Sequence, residues 1–248
     1  MNIKKPWSLM LSISMLALLL SACGASTLRG SGKMIADTRP VSNFDKLSLN
    51  GIGDLILTQG DQESLRIEAE DNILGQIETR VQDGTLMISL KDPNWEETIR
   101  PTQRVVYYLS VKNVHQLELT GVGSINIGQL KTDQLDILSS GVEGIDIGNL
   151  QAQTLKVALT GEGQCNLAGT VASQEVELSG TGQYNAARLQ SQDAVIDLSG
   201  SGSASVWVEK NLTTNLSGSG SVYYSGSPKV NNTIAGTGGV SDLGVAAP

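Results

Sequence analysis

The sequence predicts an all-β chain: a right-handed parallel β-helix (a β-solenoid) of about 18–20 residues per coil, with a hairpin-containing excursion near its start. Three observations predict it. A hydroxyl-Gly-x-Gly motif recurs with its first glycine at 121, 141, 161, 180, 200, 218 and 236, in steps of 20, 20, 19, 20, 18 and 18 residues. Apolar residues alternate with polar ones on both sides of each motif, which is the period of a strand. No repeat contains a stretch of helical period long enough to form a helix.

The chain opens differently. Lys4 and Lys5 precede an apolar run from Leu9 to Leu20, too short to span a bilayer and the right length for a signal peptide. The run ends in Leu20-Ser21-Ala22-Cys23, which resembles the lipobox of bacterial lipoproteins. The resemblance implies cleavage before Cys23, acyl chains on that cysteine and attachment to a membrane. Gly24 is not the aspartate that retains many such proteins at the inner membrane, so an outer-membrane placement is expected if the organism has two membranes. The expected organisation is a signal peptide at 1–22, a lipidated N-terminus and tether at 23–40, and one solenoid domain at 41–244.

Cleavage before Cys23 removes two lysines and no acid, leaving 15 basic and 25 acidic side chains and a net charge of −10. An acidic chain with no basic run excludes nucleic acid and direct adsorption to anionic lipid. Cys165 is then the only free cysteine, so no internal disulfide is available. One Phe and 28 Gly do not suit a conventional aromatic core; they suit thin coils of aliphatic side chains joined by tight corners.

The first coil and the start of a second are expected at residues 47–69. Leu47-Ser48-Leu49-Asn50-Gly51-Ile52-Gly53 matches Leu117-Glu118-Leu119-Thr120-Gly121-Val122-Gly123, and Leu65 falls as far beyond Gly51 as Leu135 beyond Gly121. The chain then leaves the repeat at about 70–115. There Asp71–Glu78 suits a helical turn, and Thr79–Leu90 a hairpin turning at Asp83-Gly84 with type I′ geometry. Asp92–Gln103 reads as a polar loop, and Val105, Tyr107, Leu109 and Val111 alternate as a strand. Regular coils follow at about 117–243. In them the glycines are expected at corners needing φ > 0, Cys165 in an inward column with Ile125, Tyr184, Ala204 and Val222, and Leu130, Leu150, Val171, Leu189 and Val208 in another. In Ser140-Gly141-Val142-Glu143-Gly144 the motif reads as carrying one inserted residue.

The Gly51-Ile52-Gly53-Asp54-Leu55 opening, followed by serial Ser/Thr-Gly-x-Gly coils, resembles the head GIN domain family, described as auto-transporter adhesins, over roughly residues 40–244. The resemblance implies a β-helical fold and a place in the cell envelope. It brings no catalytic residues with it.

Chemistry is sparse. His115 is the only histidine and stands in a connector without a cysteine partner or metal-ligand spacing. The glycine motifs lack the Lys-Ser/Thr and the helix of a phosphate loop, and the aspartates of a calcium-binding solenoid. No cofactor, metal site or catalytic set is expected. Glu118, Glu177 and Asp197 fall in one outward column; Glu177 and Asp197 should sit roughly 5 Å apart on adjacent coils. Trp207 and Tyr223 point outward near the C-terminal end and suit a stacking platform for a sugar ring or a partner protein. These five are the candidate ligand-binding residues. The expected function is a non-enzymatic, lipid-anchored binding or adhesion module, whose partners are a glycan, the cell wall or a surface protein. The alternatives are a polysaccharide-cleaving β-helix enzyme using the outward carboxylates and a purely structural envelope component. Residues 228–248 are expected to form a weak last coil, shielded by polar residues or covered by self-association.

Replacing Cys23 with Ser should release the chain from membranes. A variant that still partitions fully with membranes and still carries fatty acid would contradict the lipidation.

Overall fold

A computed structural model describes residues 27–244, so the expected signal peptide at 1–22 and the lipidation site Cys23 lie outside the described residues. The elements run β1 (Leu28–Arg29), β2 (Met34–Arg39), β3 (Lys46–Gln59), β4 (Ser64–Glu70), α1 (Asp71–Leu74), β5 (Ile77–Gln82) and β6 (Thr85–Leu90). Next come α2 (Trp95–Thr98), β7 (Ile99–Arg100), β8 (Val106–Val111), β9 (Gln116–Ile127), β10 (Leu130–Lys131) and β11 (Gln134–Ser139). The long strands β12 (Val142–Leu159), β13 (Gln164–Leu178), β14 (Gln183–Leu198) and β15 (Ser203–Leu216) follow, then β16 (Ser221–Ser225), β17 (Lys229–Ile234) and β18 (Gly239–Asp242). The chain is a β-solenoid of about six turns with 4% helix.

From β9 onward every strand pairs in parallel with the one a coil away, so each side chain stacks on its counterpart. One inward row is Leu55, Ile125, Ile145, Cys165, Tyr184, Ala204 and Val222, as the alternation predicts. Each buried Leu or Ile in such a row contributes about 1.5–3 kcal/mol through removal from water, but only because a neighbouring coil covers it.

The row expected from Leu130 to Val208 is corrected by the register. Leu130 and Leu150 stack on Gly169 and then Leu189, whereas Val171 stacks on Ala152 and Ser191, and Ser191 on Val208. All five aliphatics are buried, but in two interleaved rows. Irregularities at Ile147/Leu150, Asn166/Ala168 and Ala186/Gln190 move the register on this side, because coils of unequal length must reconcile their difference at a corner. The motif at Ser140 carries no insertion: Val142, Glu143 and Gly144 pair one-to-one with Val122, Gly123 and Ser124.

The glycines serve a different purpose from the one expected. Among the motif glycines only Gly53 and Gly121 take positive φ. What the others share is close approach. A Cβ on Gly200 would lie 2.0 Å from the carbonyl oxygen of Gly180, and one on Gly218 would lie 1.9 Å from that of Gly200. The second glycines repeat this, with 2.2 Å from Gly202 to the Gly182 oxygen and 2.1 Å from Gly220 to that of Gly202. The corners stack backbone on backbone with no room for a side chain.

The excursion closes the N-terminal end. β6 pairs in parallel with the first half of β3 and β8 with the second, and β5 completes the hairpin; Asp83 and Gly84 both have positive φ, as a type I′ turn requires. β4 runs antiparallel to β8, and β2 antiparallel to β4. Ser64–Glu70 is therefore part of this cap and not the start of a second coil, so the departure begins before residue 70. Phe44, Ile73, Leu74, Trp95 and Ile99 are buried over the end of the core. The helical turn stops at Leu74, well short of Glu78.

One buried carboxylate ties the incoming chain to this cap. Glu70 is 1% exposed. It accepts hydrogen bonds from Gly32 N (2.6 Å), Thr102 N (2.7 Å), Thr102 Oγ1 (2.5 Å) and Gln103 N (3.3 Å). Burial alone would raise its pKa, but the Thr102 hydroxyl and the three N–H donors outweigh this and hold it below its usual 4.5. Gly30 leaves the space the carboxylate fills: a Cβ there would meet it at 1.9 Å.

Gly200→Ala should destabilise the chain by about 1–3 kcal/mol or more through backbone overlap. Gly128→Ala, where nothing lies within 4 Å, should be neutral or slightly stabilising; thermal melts that rank the two equally would refute the stacking account. Because the folded pKa of Glu70 is depressed, its stabilisation is complete above 4.5 and fades as pH falls through the folded value. Glu70→Gln should thus lower the melting midpoint at neutral pH, by a margin that shrinks on acidification. A pH-independent margin would contradict this.

Candidate ligand-binding faces

Period-two alternation leaves every second side chain of each strand outside, and parallel register lines these up as columns. The column holding the sequence-predicted carboxylates reads Ser48, Glu118, Leu138, Ala158, Glu177, Asp197, Asn215 and Thr233. Glu177 and Asp197 are direct neighbours on adjacent coils. Glu118 lies three coils from Glu177, beyond Leu138 and Ala158, so the three carboxylates do not form one site. Asp197 Oδ1 accepts a hydrogen bond from Asn215 Nδ2 at 2.6 Å.

Beside this column, Thr160, Ser179, Ser199 and Ser217 form the hydroxyl column at the corner. Between the two runs an open groove of about 390 Å³ that also touches Leu216 and Thr233. It crosses five coils, about 19 Å at the strand spacing. No basic or aromatic side chain lines it. On the flank away from the hydroxyl column, Lys156 and Glu175 pair at 3.1 Å; the Glu175 carboxylate, by hydrogen bond and charge, raises the pKa of Lys156.

The other broad face carries an amide ladder outward: Asn126, Asp146, Asn166 and Asn185 stack in register. Asn166 Nδ2 donates to Asp146 Oδ2 at 3.2 Å and Asn185 Nδ2 to Asn166 Oδ1 at 3.4 Å. Ser205 and the exposed Tyr223 continue the column. Trp207 points outward as expected but is half-buried, and its indole N–H donates to Glu209 Oε1 at 2.7 Å. The register sets Tyr223 against Ser205, and Trp207 against Ser225. The two aromatics are therefore diagonal neighbours two positions apart, not a directly stacked pair.

His115 sits in its connector with Nδ1 3.5 Å from Asp45 Oδ2, at the rim of a wider polar depression of about 1,110 Å³. Burial pushes the Cys165 thiol pKa up, consistent with a core filler and not a nucleophile. Among the described residues no group of His, Cys, Asp and Glu is placed to hold a metal ion, and no helix is long and apolar enough to cross a membrane.

Two features escaped the sequence reading. Tyr108, 36% exposed, lies under the Arg66 guanidinium at 5.2 Å and donates to Glu68 Oε2 at 3.2 Å. Its place in an alternating strand was visible; its neighbours come from β4, whose antiparallel pairing was not. Inside the core, Tyr184 Oη donates to Gln174 Oε1 (2.7 Å), Gln174 Nε2 to Ser191 Oγ (2.8 Å), and Ser191 Oγ to the Trp207 carbonyl (2.9 Å). This buried chain links three coils and satisfies a glutamine standing in an inward row between Leu155 and Ala194.

The pattern described as "Putative auto-transporter adhesin, head GIN domain" matches residues 43–228. The chain belongs to this family. Its fold agrees with solved structures. A putative adhesin from Bacteroides fragilis is 27% identical, with a TM-score of 0.83 over 87% of this chain and all of that one. A putative lipid binding protein from Parabacteroides distasonis is 21% identical (TM-score 0.71), and a putative adhesin from the same species is 18% identical (TM-score 0.68); each covers 88% of this chain and all of its own. No curated protein matches. Membership in this head GIN family fits a cell-surface or envelope protein that binds some surface partner.

Proposed function

We propose that this chain is a non-enzymatic binding module of the cell envelope, anchored by lipid on Cys23 and using the flank of its solenoid to hold an extended, hydroxyl-rich polymer such as a glycan or cell-wall strand. The observation that carries the reading is the groove between the Glu177–Asp197–Asn215 column and the Thr160–Ser179–Ser199–Ser217 column. It repeats hydroxyls over four coils and a carboxylate or amide over three of them, at one coil spacing. A rigid periodic row of polar groups suits a periodic polymer, since each repeat meets the same partners and little order is lost on binding. The open groove offers no basic or aromatic wall to fix a sugar for cleavage, which favours binding over hydrolysis. The Parabacteroides distasonis relative is described as lipid binding; the groove here is lined by Leu178, Leu198 and Leu216 as well as by its polar columns, and the repeated carboxylate, amide and hydroxyl groups of those columns favour a hydroxyl-rich ligand. Trp207 and Tyr223 are a secondary contact for a sugar ring or a surface protein, and Glu118 lies outside the groove.

The test is an array of glycans and cell-wall polymers probed with the chain from Gly24 onward. At least one polymer should bind, and the double change Glu177→Gln with Asp197→Asn should weaken binding by about tenfold or more, about 1.4 kcal/mol. Absence of any polymer ligand would leave a structural role as the better reading. Release of shortened polymer would establish the enzyme.

A further inference from the structure

The two ends of the solenoid are finished differently. Within the array each inward layer is covered by the next coil: Leu212, Thr214, Leu216 and Val222 are all 2% exposed or less. The residues stacked on them in the last coil are Val230, Asn232, Ile234 and Val240. Val230 and Val240 are only partly covered, Asn232 is exposed, and Ile234 is 47% exposed. β17 pairs only with β15 and β18 only with β16, so both present an unbonded backbone edge among the described residues. Asn232 Oδ1 accepts from Thr214 Oγ1 at 2.9 Å, while its amide N–H groups make no hydrogen bond among the described residues. The opposite end is closed by the excursion and presents no matching layer.

We propose that this open end receives a second copy of the chain, end against end, about a two-fold axis passing beside Asn232. Antiparallel pairing of β17 with its own counterpart, centred on residue 232, sets Asn232 opposite Asn232 and Val230 opposite Ile234. An amide is self-complementary, each supplying donors and an acceptor, and a buried amide pair fixes register. Asn231 then meets Thr233 and Lys229 meets Ala235, so no carboxylate faces a carboxylate. Electrostatics favour this contact over lateral ones. The whole chain carries a net charge of −8, yet residues 228–244 hold one lysine and one aspartate, Lys229 and Asp242. End-to-end contact keeps the acidic columns of the two copies apart, whereas flank-to-flank contact would oppose them. Because the contact is isologous and the other end is closed, assembly stops at two. Where chains are held by their N-termini on facing surfaces, which rests on the lipid-anchor reading, the same contact is a like-with-like bridge.

The test uses the chain from Gly24 onward, which contains every described element, followed by sedimentation from roughly 1 μM to 1 mM, a range that spans weak self-association. A reversible monomer–dimer equilibrium is expected, with loss of the dimer in Ile234→Lys and in Asn232→Asp. Under mild oxidation Asn232→Cys should give a disulfide-linked dimer, since the two positions meet at the axis, while Asn231→Cys, turned outward and off the axis, should not. Far-ultraviolet circular dichroism checks that each variant is folded. A monomer at the highest concentration, a dimer indifferent to both substitutions, or equal cross-linking at 231 and 232 would each overturn the proposal.

Discussion

The structure depends on the absence of side chains at one set of corners. The carbonyl oxygen of a glycine in one coil occupies the place where the next coil's glycine would carry its Cβ, from Gly51 beneath Gly121 to Gly218 beneath Gly236. Backbone contact this close lets strands on both sides of the corner hold the ladder spacing without splaying. The inward rows then meet in van der Waals contact, and the outward residues fall into columns. A carboxylate column, a hydroxyl column and an amide ladder are three readouts of one steric condition. The hydroxyl residues before the glycines line the groove because they sit at that corner.

Polar groups inside the rod are handled without loss. Every buried side-chain nitrogen or oxygen in the described residues has a hydrogen-bond partner. The Tyr184–Gln174–Ser191 chain crosses coils and ends on a backbone carbonyl, so a glutamine in an aliphatic row costs little net. It also confers specificity: sliding one coil along its neighbour would leave Gln174 and Tyr184 unpaired in the core, at about 1–3 kcal/mol per group. The aliphatic rows, being interchangeable Leu, Ile and Val, provide cohesion but discriminate poorly between registers.

Much of this was legible in the sequence because repetition amplifies a weak signal. One alternating segment is ambiguous; seven spaced by 18–20 residues are not. The row through Cys165 was readable because each member stands four residues after the first glycine of its motif. The row through Val171 was not, because the corner irregularities absorb the length differences there, and the motif spacing records only their sum. The reason for the glycines was misjudged because φ and close approach leave the same trace, a missing Cβ. Glu70 was invisible for a local reason: it follows Leu65, Ile67 and Ala69 in alternation and should face water, and only the N-terminal segment folding over it makes it interior. Leu65 looked like the start of a coil since side-chain alternation does not record strand direction. In the groove, the carboxylate column and the recurring hydroxyl of the glycine motif were each legible, but their convergence on one concavity needed three dimensions.

The clamp at Glu70 also determines how the molecule answers tension. Residues 29–33 enter at the closed end, where Gly30 N donates to the Arg100 carbonyl, Asn72 Nδ2 to the Arg29 carbonyl, and Gly32 N to Glu70. A pull exerted through the N-terminus therefore reaches these bonds before any coil. They are short and clustered, the one to Glu70 is charge-assisted, and they hold the strap to two segments, Glu70–Asn72 and Arg100, so the load is shared across the cap instead of peeling one strand from the ladder. Coils joined edge to edge by parallel ladders would otherwise unzip a row at a time. The buried carboxylate makes the cap a mechanical fitting, one whose grip slackens in acid.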